Sequence, residues 1–363
     1  MDSVTQIVLG AAVGEAVLGK KIGNKAMVLG AIAGTIPDLD VLSSHFTDTV
    51  TALEMHRGFT HSIVFAVVFG LLFGWLLSLW DKRASLREWW WFWFLCFVTH
   101  PLLDAQTTWG TQLFWPFDLR LALKNIFVID PLYTLPFLVF LILAMLQKRG
   151  SVKRRKFNNL GLLVSSGYLL LTLVLKGITY LKFEAALKYQ NIAYTALETK
   201  PSPLNTILWT ANVETEDAFL IGDYSFFDTK PIRFYPHLKN HAALGDLRKY
   251  DKVQRLIKIT QGWYTVSERP DGIYLNDLRF GMVGVDPQTE KYAFSFRLEK
   301  RGDRVSVTEE PKHARDAKKL LAELWARVKG NQQLKSATIF HSPSIFLKII
   351  RKIPFALPAS RTK

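Results

Sequence analysis

The chain of 363 residues is long enough for two domains, and its formal charge of +15 invites a nucleic-acid reading that has to be tested against where the charge lies. The single cysteine, Cys96, excludes an intrachain disulfide. The averages conceal two unlike halves: apolar and aromatic runs dominate residues 4–181, and beyond them the composition is that of a soluble protein.

Six apolar runs follow in order. VTQIVLGAAVGEAVLG (4–19) and AMVLGAIAGTIP (26–37) are short. THSIVFAVVFGLLFGWLLSLW (60–80), EWWWFWFLCFVTHPLLDA (88–105), IFVIDPLYTLPFLVFLILAML (126–146) and NLGLLVSSGYLLLTLVLKGITYL (159–181) approach the roughly 20 apolar residues that a bilayer core requires. The pattern predicts a polytopic, mainly α membrane domain of six spans, the first two short. The first run is not read as a signal peptide, because MDSVTQ has no basic residue and Lys20 and Lys21 follow the apolar stretch.

Short connections carry the orientation. Lys20, Lys21, Lys25, Lys82, Arg83, Arg87 and six more basic residues between Lys148 and Lys156 fall on one parity, against Arg57, Arg120 and Lys124 on the other. By the positive-inside rule the basic loops are cytoplasmic. They account for much of the membrane half's charge, so no nucleic acid is expected. Residues 38–59, 106–125 and everything after 181 are then expected outside a bacterial plasma membrane.

The chemistry-bearing residues gather at that outer face. PDLD supplies Asp38 and Asp40 at the end of span two; HRGFTHS brings His56, Arg57 and His61 to the start of span three; THPLLDA places His100 and Asp104 four residues apart, on one helix face. Alone, PDLD reads as a helix stop, HxxxD as a helix-surface pair, and HRGFTHS as a boundary segment with Thr60 or Ser62 capping span three. Together at one membrane face, they read as a functional site. Imidazole and carboxylate donors suit zinc, manganese or iron, in one or more ions. Asp38 or Asp40 is the candidate to orient an attacking water. Arg57, whose guanidinium stays protonated, is the candidate grip for an anion, with Gln6 and Asp130 beside it as candidate substrate-binding residues. Glu15 lies too deep on a straight first helix to join the site and is expected to be satisfied by neighbouring helices; Lys176 is expected to snorkel.

GTIPDLD, HRGFTHS, THPLLD and GTQLFWPF (110–117) resemble the YdjM-like family of membrane-bound, predicted metal-dependent hydrolases over residues 1–145. The resemblance implies a metal site built from Asp38, Asp40, His56, His61, His100 and Asp104. Many members carry a histidine where this chain has Gln6, a weaker ligand, which puts that metal position in doubt. HxxxD is also similar to an element of zinc-dependent phospholipases C and single-strand nucleases, which favours phosphoester hydrolysis. The site's position at the membrane surface points to a lipid-linked or other amphiphilic substrate.

Beyond residue 181, KFEAALKYQNIAYTALETK (182–200) reads as a continuation of span six. TILWTANVE, AFLIGDYSFF, GWYTVSER, GIYLNDLRFG and KYAFSFRLE read as strands, with a helix near 311–329. His237 and His241 share i, i+4 spacing, but Pro236 and Gly245 predict a loop and no third ligand accompanies them. SIFLKIIRKIPFALP (344–358) reads either as an interfacial amphipathic helix or as one packed on the sheet domain. The expected organisation is a membrane domain over 1–181 carrying the metal site, an extracytoplasmic β-rich α+β domain over 182–343, and a basic tail over 344–363. The functional expectation is a membrane-bound metallohydrolase. The alternative is a non-enzymatic metal-binding membrane protein, an envelope scaffold or a metal transporter. A transporter calls for ligands near the bilayer midplane, usually with paired broken helices in two repeated halves.

Overall fold

The structure is a computed structural model that describes residues 1–284, 291–311 and 317–332. The tail proposed as an amphipathic helix lies outside the described residues.

Asp2 caps α1 (Ser3–Ile22) by accepting from the Thr5 N–H, and Gly23, at φ 63°, turns the chain into α2 (Asn24–Thr35). These two helices close on glycine. A Cβ on Gly10 would collide with the Gly30 carbonyl, one on Gly30 with that of Gly10, and one on Gly34 with that of Gln6. Small residues at four-residue spacing let the backbones touch, as in membrane helix pairs generally. The contact also sets Gln6, early in α1, beside the end of α2 where PDLD begins.

A 3-10 helix (Pro37–His45), α3 (Thr49–Met55) and a short 3-10 turn (Phe59–His61) lead to α4 (Ile63–Trp80). α5 (Leu86–Asp104) opens with a capping box between Ser85 and Glu88, and α6 (Pro131–Met145) is capped by Asp130. α7 (Val152–Tyr189) runs 38 residues.

Six spans are not what the helices provide. Among the described residues, α4 and α7 are long and apolar enough to cross a membrane, and α2 with the following 3-10 helix, bent by 41°, makes a third, broken candidate. The reasons are local. α1 carries Glu15, Lys20 and Lys21 and is mostly buried by its neighbours. α5 is built of tryptophan and phenylalanine more than aliphatic residues, and tryptophan favours the interface over the hydrocarbon. α6 has 15 residues because its helix starts only at Pro131, five residues into the apolar run.

Glu15 is satisfied as expected, by a bidentate pair with Arg154 at 2.6 and 2.5 Å. Arg154 is therefore a buried helix residue and not a free loop cation. Lys176 donates to the Leu123 carbonyl instead of reaching for solvent.

At roughly 57 Å, α7 exceeds the hydrocarbon thickness and continues into the second half of the molecule. There Phe183 and Leu187 pack under Trp209, Ala211 and Val213. The helix stops at Tyr189, since Asn191 turns left-handed at φ 52°, and Ala196–Pro201 is strand β1, not helix.

β1 to β4 (Ala196–Pro201, Leu208–Glu214, Ala218–Ser225, Phe234–Leu238) form one antiparallel meander. β5 to β8 (Tyr264–Arg269, Gly272–Asp277, Ser295–Arg301, Arg304–Glu309) form a second. Phe219, Ile221, Trp263 and Leu278 pack between them. α8 (Asp251–Ile259) covers the second sheet, and α9 (Ala317–Val328) lies by β2 through Leu324 and Val328.

The boundary at residue 181 is not clean in space. Val50 of α3 is fully buried in one core with Val253, Leu256 and Leu275. Arg255 of α8 grips Glu54 and Thr51, Lys258 meets Asp118, and Lys124 pairs with Glu198 at 2.5 Å. The loops that follow α2 and α5 are therefore built into the sheet domain.

Candidate metal centre

Three segments meet where α2 ends. The bend after Thr35 presents Asp38, the 3-10 turn before α4 presents His61, and the last turn of α5 presents His100 and Asp104 on one face. One ligand atom from each of these four lies within 4.8 Å of the others. His61 Nε2 is 3.1 Å from His100 Nε2 and 3.3 Å from both Asp38 Oδ1 and Asp104 Oδ2. His100 Nε2 is 3.4 Å from Asp38 Oδ1 and 3.5 Å from Asp104 Oδ2. A tetrahedron with metal–ligand arms of ~2.0–2.1 Å has edges of about 3.3 Å, so these distances fit a metal such as zinc.

The ring orientations agree. His100 Nδ1 lies 2.8 Å from the Gly34 carbonyl and must carry the proton there, which leaves Nε2 with a free lone pair. His61 Nδ1 faces Thr60 Oγ1 at 3.0 Å, and that hydroxyl donates to Asp40 Oδ2 at 3.2 Å, so the second Nε2 is bare as well. Two facing imidazole lone pairs repel unless a metal ion, or a proton on one ring, lies between them. Among the described residues, Gln6 Oε1 is buried without a hydrogen-bond donor, and Asp104 Oδ2 has only the poorly aligned Arg57 Nε at 3.1 Å. Asp104 Oδ1 takes the Gln6 amide at 3.1 Å and the Met1 amino group. Burial alone would push the His61 imidazole down, yet the Asp104, Asp38 and Asp40 carboxylates outweigh it and hold it up at about 9. Even without metal, the cluster demands a positive charge.

Of the six ligand candidates, the structure brings these four together and sets Asp40 and His56 one layer behind. Asp40 Oδ1 meets His56 Nδ1 at 3.0 Å, and Oδ2 accepts from the Arg57 N–H and the Thr60 hydroxyl. Arg57, at φ 57°, is a non-glycine residue in left-handed backbone, and that N–H bond holds it there. Asp40 thus shapes the HRGFTHS loop instead of contributing a donor.

Arg57 is buried, its Nε 3.1 Å from Asp104 Oδ2 and its NH1 donating to Thr107, so it supports a ligand and does not face solvent. Gln6 touches the site through Asp104 and the His100 carbonyl. Asp130 does not join it: its carboxylate accepts the Leu132 and Tyr133 N–H groups and the Tyr168 hydroxyl, because α6 starts immediately after it. His237 lies in β4 and His241 stacks on Tyr264, so neither is near the cluster.

Beside the centre a cleft of about 850 Å³ opens between the membrane half and the sheet domain, with Asp40 and Thr60 in its wall. Its cations went unread as a group in the sequence. Arg255 and Lys258 are paired with Glu54 and Asp118, and Arg279 with Asp277 at 2.7 Å. Arg120 is the exception: among the described residues its guanidinium bonds only the His56 and Glu54 carbonyls, with the Asp118 and Asp40 carboxylates acting on it from beyond ion-pair distance. Burial, with Arg279 and Arg57 close by, pushes it down to about 10, still charged at neutral pH. Arg120 and Arg279 both lie over the Trp109 ring, at 5.5 and 5.3 Å from its centroid. Trp109 in turn rests 5.6 Å from His56. An aromatic in GTQ-adjacent sequence was the one signal available; Arg279, more than 150 residues away, gave none.

Residues 1–179 match the model of the YdjM inner membrane protein family. The chain is 40% identical over 99 residues to the inner membrane protein YbcI of Escherichia coli (strain K12), covering 27% of this chain and 57% of that one. It is 30% identical over 139 residues to the uncharacterized protein YfhP of Bacillus subtilis (strain 168), covering 36% and 42%. The match thus spans about half the length of these relatives. No solved structure matches the chain.

Proposed function

We propose that this chain, whose residues 1–179 belong to the YdjM inner membrane protein family, is a plasma-membrane metallohydrolase that cleaves a phosphoester of a lipid or other amphiphilic substrate. The observation that carries the reading is the two-histidine, two-aspartate cluster, closed on three sides and open at Asp38. His61, His100 and Asp104 side chains are essentially inaccessible, whereas that of Asp38 is 24% exposed. The donor set suits zinc, with manganese or iron as the harder-ligand options.

A bound divalent ion would supply Lewis acidity and a water acidified from pKa 15.7 towards about 7. The chain's own residues do the rest. Asp38, the candidate ligand open to solvent, is the group that would orient an attacking water. Arg57 holds Asp104 and offsets negative charge building up beside it. Asp40, His56 and Thr60 fix the loop that carries His61. The Lys124–Glu198 and Lys258–Asp118 pairs keep the loop after α5 on one face with the sheet domain, and the lysines and arginines gathered at the far helix ends support that face lying outside the cell.

One observation favours a second reading. Four protein donors already near tetrahedral spacing describe a closed site of the structural kind, and the protein would then be a metal-stabilised envelope scaffold. The test is metal content and turnover of detergent-purified protein on generic phosphodiesters and phosphomonoesters. Hydrolysis that depends on metal and is lost in Asp38→Ala and His100→Ala supports the enzyme. Full metal occupancy with no turnover, and unfolding on chelation, selects the scaffold.

A further inference from the structure

We infer that the cleft beside the candidate metal centre is a binding site for the anionic phosphate headgroup of a membrane lipid, with Arg120 as its anchoring cation and residues of both halves of the chain as its walls. The inference rests on the reading of the site as a phosphoester hydrolase and names what that site would receive.

Charge gives the polar end. Among the described cations that line the cleft, Arg255, Lys258 and Arg279 each have a carboxylate partner, and Arg120 has none within ion-pair distance. A guanidinium held by the His56 and Glu54 carbonyl oxygens over an indole ring is positioned but only partly compensated, since Asp118 and Asp40 act on it from beyond ion-pair distance. An anion in the cleft would be its direct partner, and phosphate suits the planar fork. Arg279, brought in from the sheet domain on the Trp109 ring, adds a second cation whose charge Asp277 shares.

Part of the lining is apolar. Leu39, Met55, Phe59 and Trp115 form it while staying 55, 50, 37 and 37% exposed. Leu39 belongs to the 3-10 helix that continues α2 in the bent membrane candidate, and Phe59 packs on Phe65 and Phe69 of α4. These apolar side chains are therefore continuous with the membrane helices, while Arg255 and Arg279 enter the cleft from the sheet domain. A ligand that satisfies both ends is charged at one end and hydrocarbon at the other. Free phosphate satisfies only the first.

The test is binding of an acyl-labelled phosphatidic acid, compared with equally labelled phosphatidylcholine, to full-length protein in nonionic detergent, read by fluorescence anisotropy. Wild type is expected to prefer the anionic probe by about tenfold or more, the size of one charge-assisted contact. Arg120→Gln, checked for an unchanged melting temperature, should lose that preference, and Arg120→Lys should keep part of it. Chelation should leave the preference in place, because Arg120 and not the metal anchors the headgroup. Equal binding of the two probes by wild type overturns the inference, as does undiminished preference in folded Arg120→Gln or loss on chelation alone. Displacement of the probe by inorganic phosphate at matched concentration overturns the lipid assignment. No turnover is measured, so these outcomes stand apart from the fate of the hydrolase reading.

Discussion

Asp40 Oδ2 accepts the backbone N–H of Arg57 at 2.7 Å, and through that bond a carboxylate two residues from the candidate ligand Asp38 holds the loop carrying another, His61. Its other oxygen meets His56, so one side chain ties the two ends of the HRGFT stretch. Asp40→Asn keeps the size but weakens this hold. Metal affinity is expected to fall about 10–100-fold, the usual cost of losing an outer partner, whereas Asp38→Ala should lose stoichiometric binding. Competition against a chromophoric chelator measures both, and equal affinities in Asp40→Asn and wild type would remove Asp40 from this role.

The α1–α2 contact predicts a steric sensitivity. Gly30→Ala drives a methyl into the Gly10 carbonyl and should cost about 1–3 kcal/mol, seen as a lower melting temperature in detergent. Gly167, on α7, has nothing within 4 Å of a built Cβ, and Gly167→Ala should leave melting unchanged or slightly raised. If the two behave alike, the helices do not touch as described.

The Glu15–Arg154 pair is buried among helices, with Arg154 also reaching Asn24 at 2.6 Å. Removing one partner strands the other charge, so Glu15→Gln or Arg154→Met alone should each cost about 3–5 kcal/mol. The double variant Glu15→Met with Arg154→Met should cost clearly less than the sum. A double-mutant cycle by denaturant unfolding decides it; strict additivity would mean the charges do not interact.

Lys200 is buried with its ammonium on the Leu278 and Arg279 carbonyls. Burial lowers its pKa from the ordinary 10.5 to about 7, against the pull of Glu198 and with Lys124 adding to the drop. Between these values the unfolded chain binds a proton that the folded chain does not. Stability therefore rises with pH across the window from 7 to 10.5, by an amount on the order of a few kcal/mol. Lys200→Met should flatten the rise. Parallel pH profiles of melting temperature for the two proteins would count against it.

The ligand residues were legible because imidazole and carboxylate at a membrane boundary are costly enough to need a reason, and three motifs carried them to one face. Which aspartate of PDLD joins the cluster was not legible. The segment is a 3-10 helix, in which residues two apart point roughly 240° around the axis, so Asp38 and Asp40 face different neighbours. The span count failed for a related reason: hydropathy reads side chains one by one, whereas α1 is shielded by its partners whatever its composition. The strands with β-branched and aromatic enrichment were readable. β1 was not, because ALETKP has helix-like residues and is held in place by pairing with β2. Arg120 was visible as a loop cation, but its lack of a carboxylate partner is a property of the folded chain.

α7 passes from the membrane bundle into the core beneath β2 as one uninterrupted helix, and α3 is anchored in the same domain from the other side. The sheet domain is thus mounted on two posts, one rooted in the membrane bundle and one in the segment after α2. If the cleft takes a membrane lipid, as inferred above, encounter with it is a two-dimensional search whose rate is set by the ligand's density in the membrane.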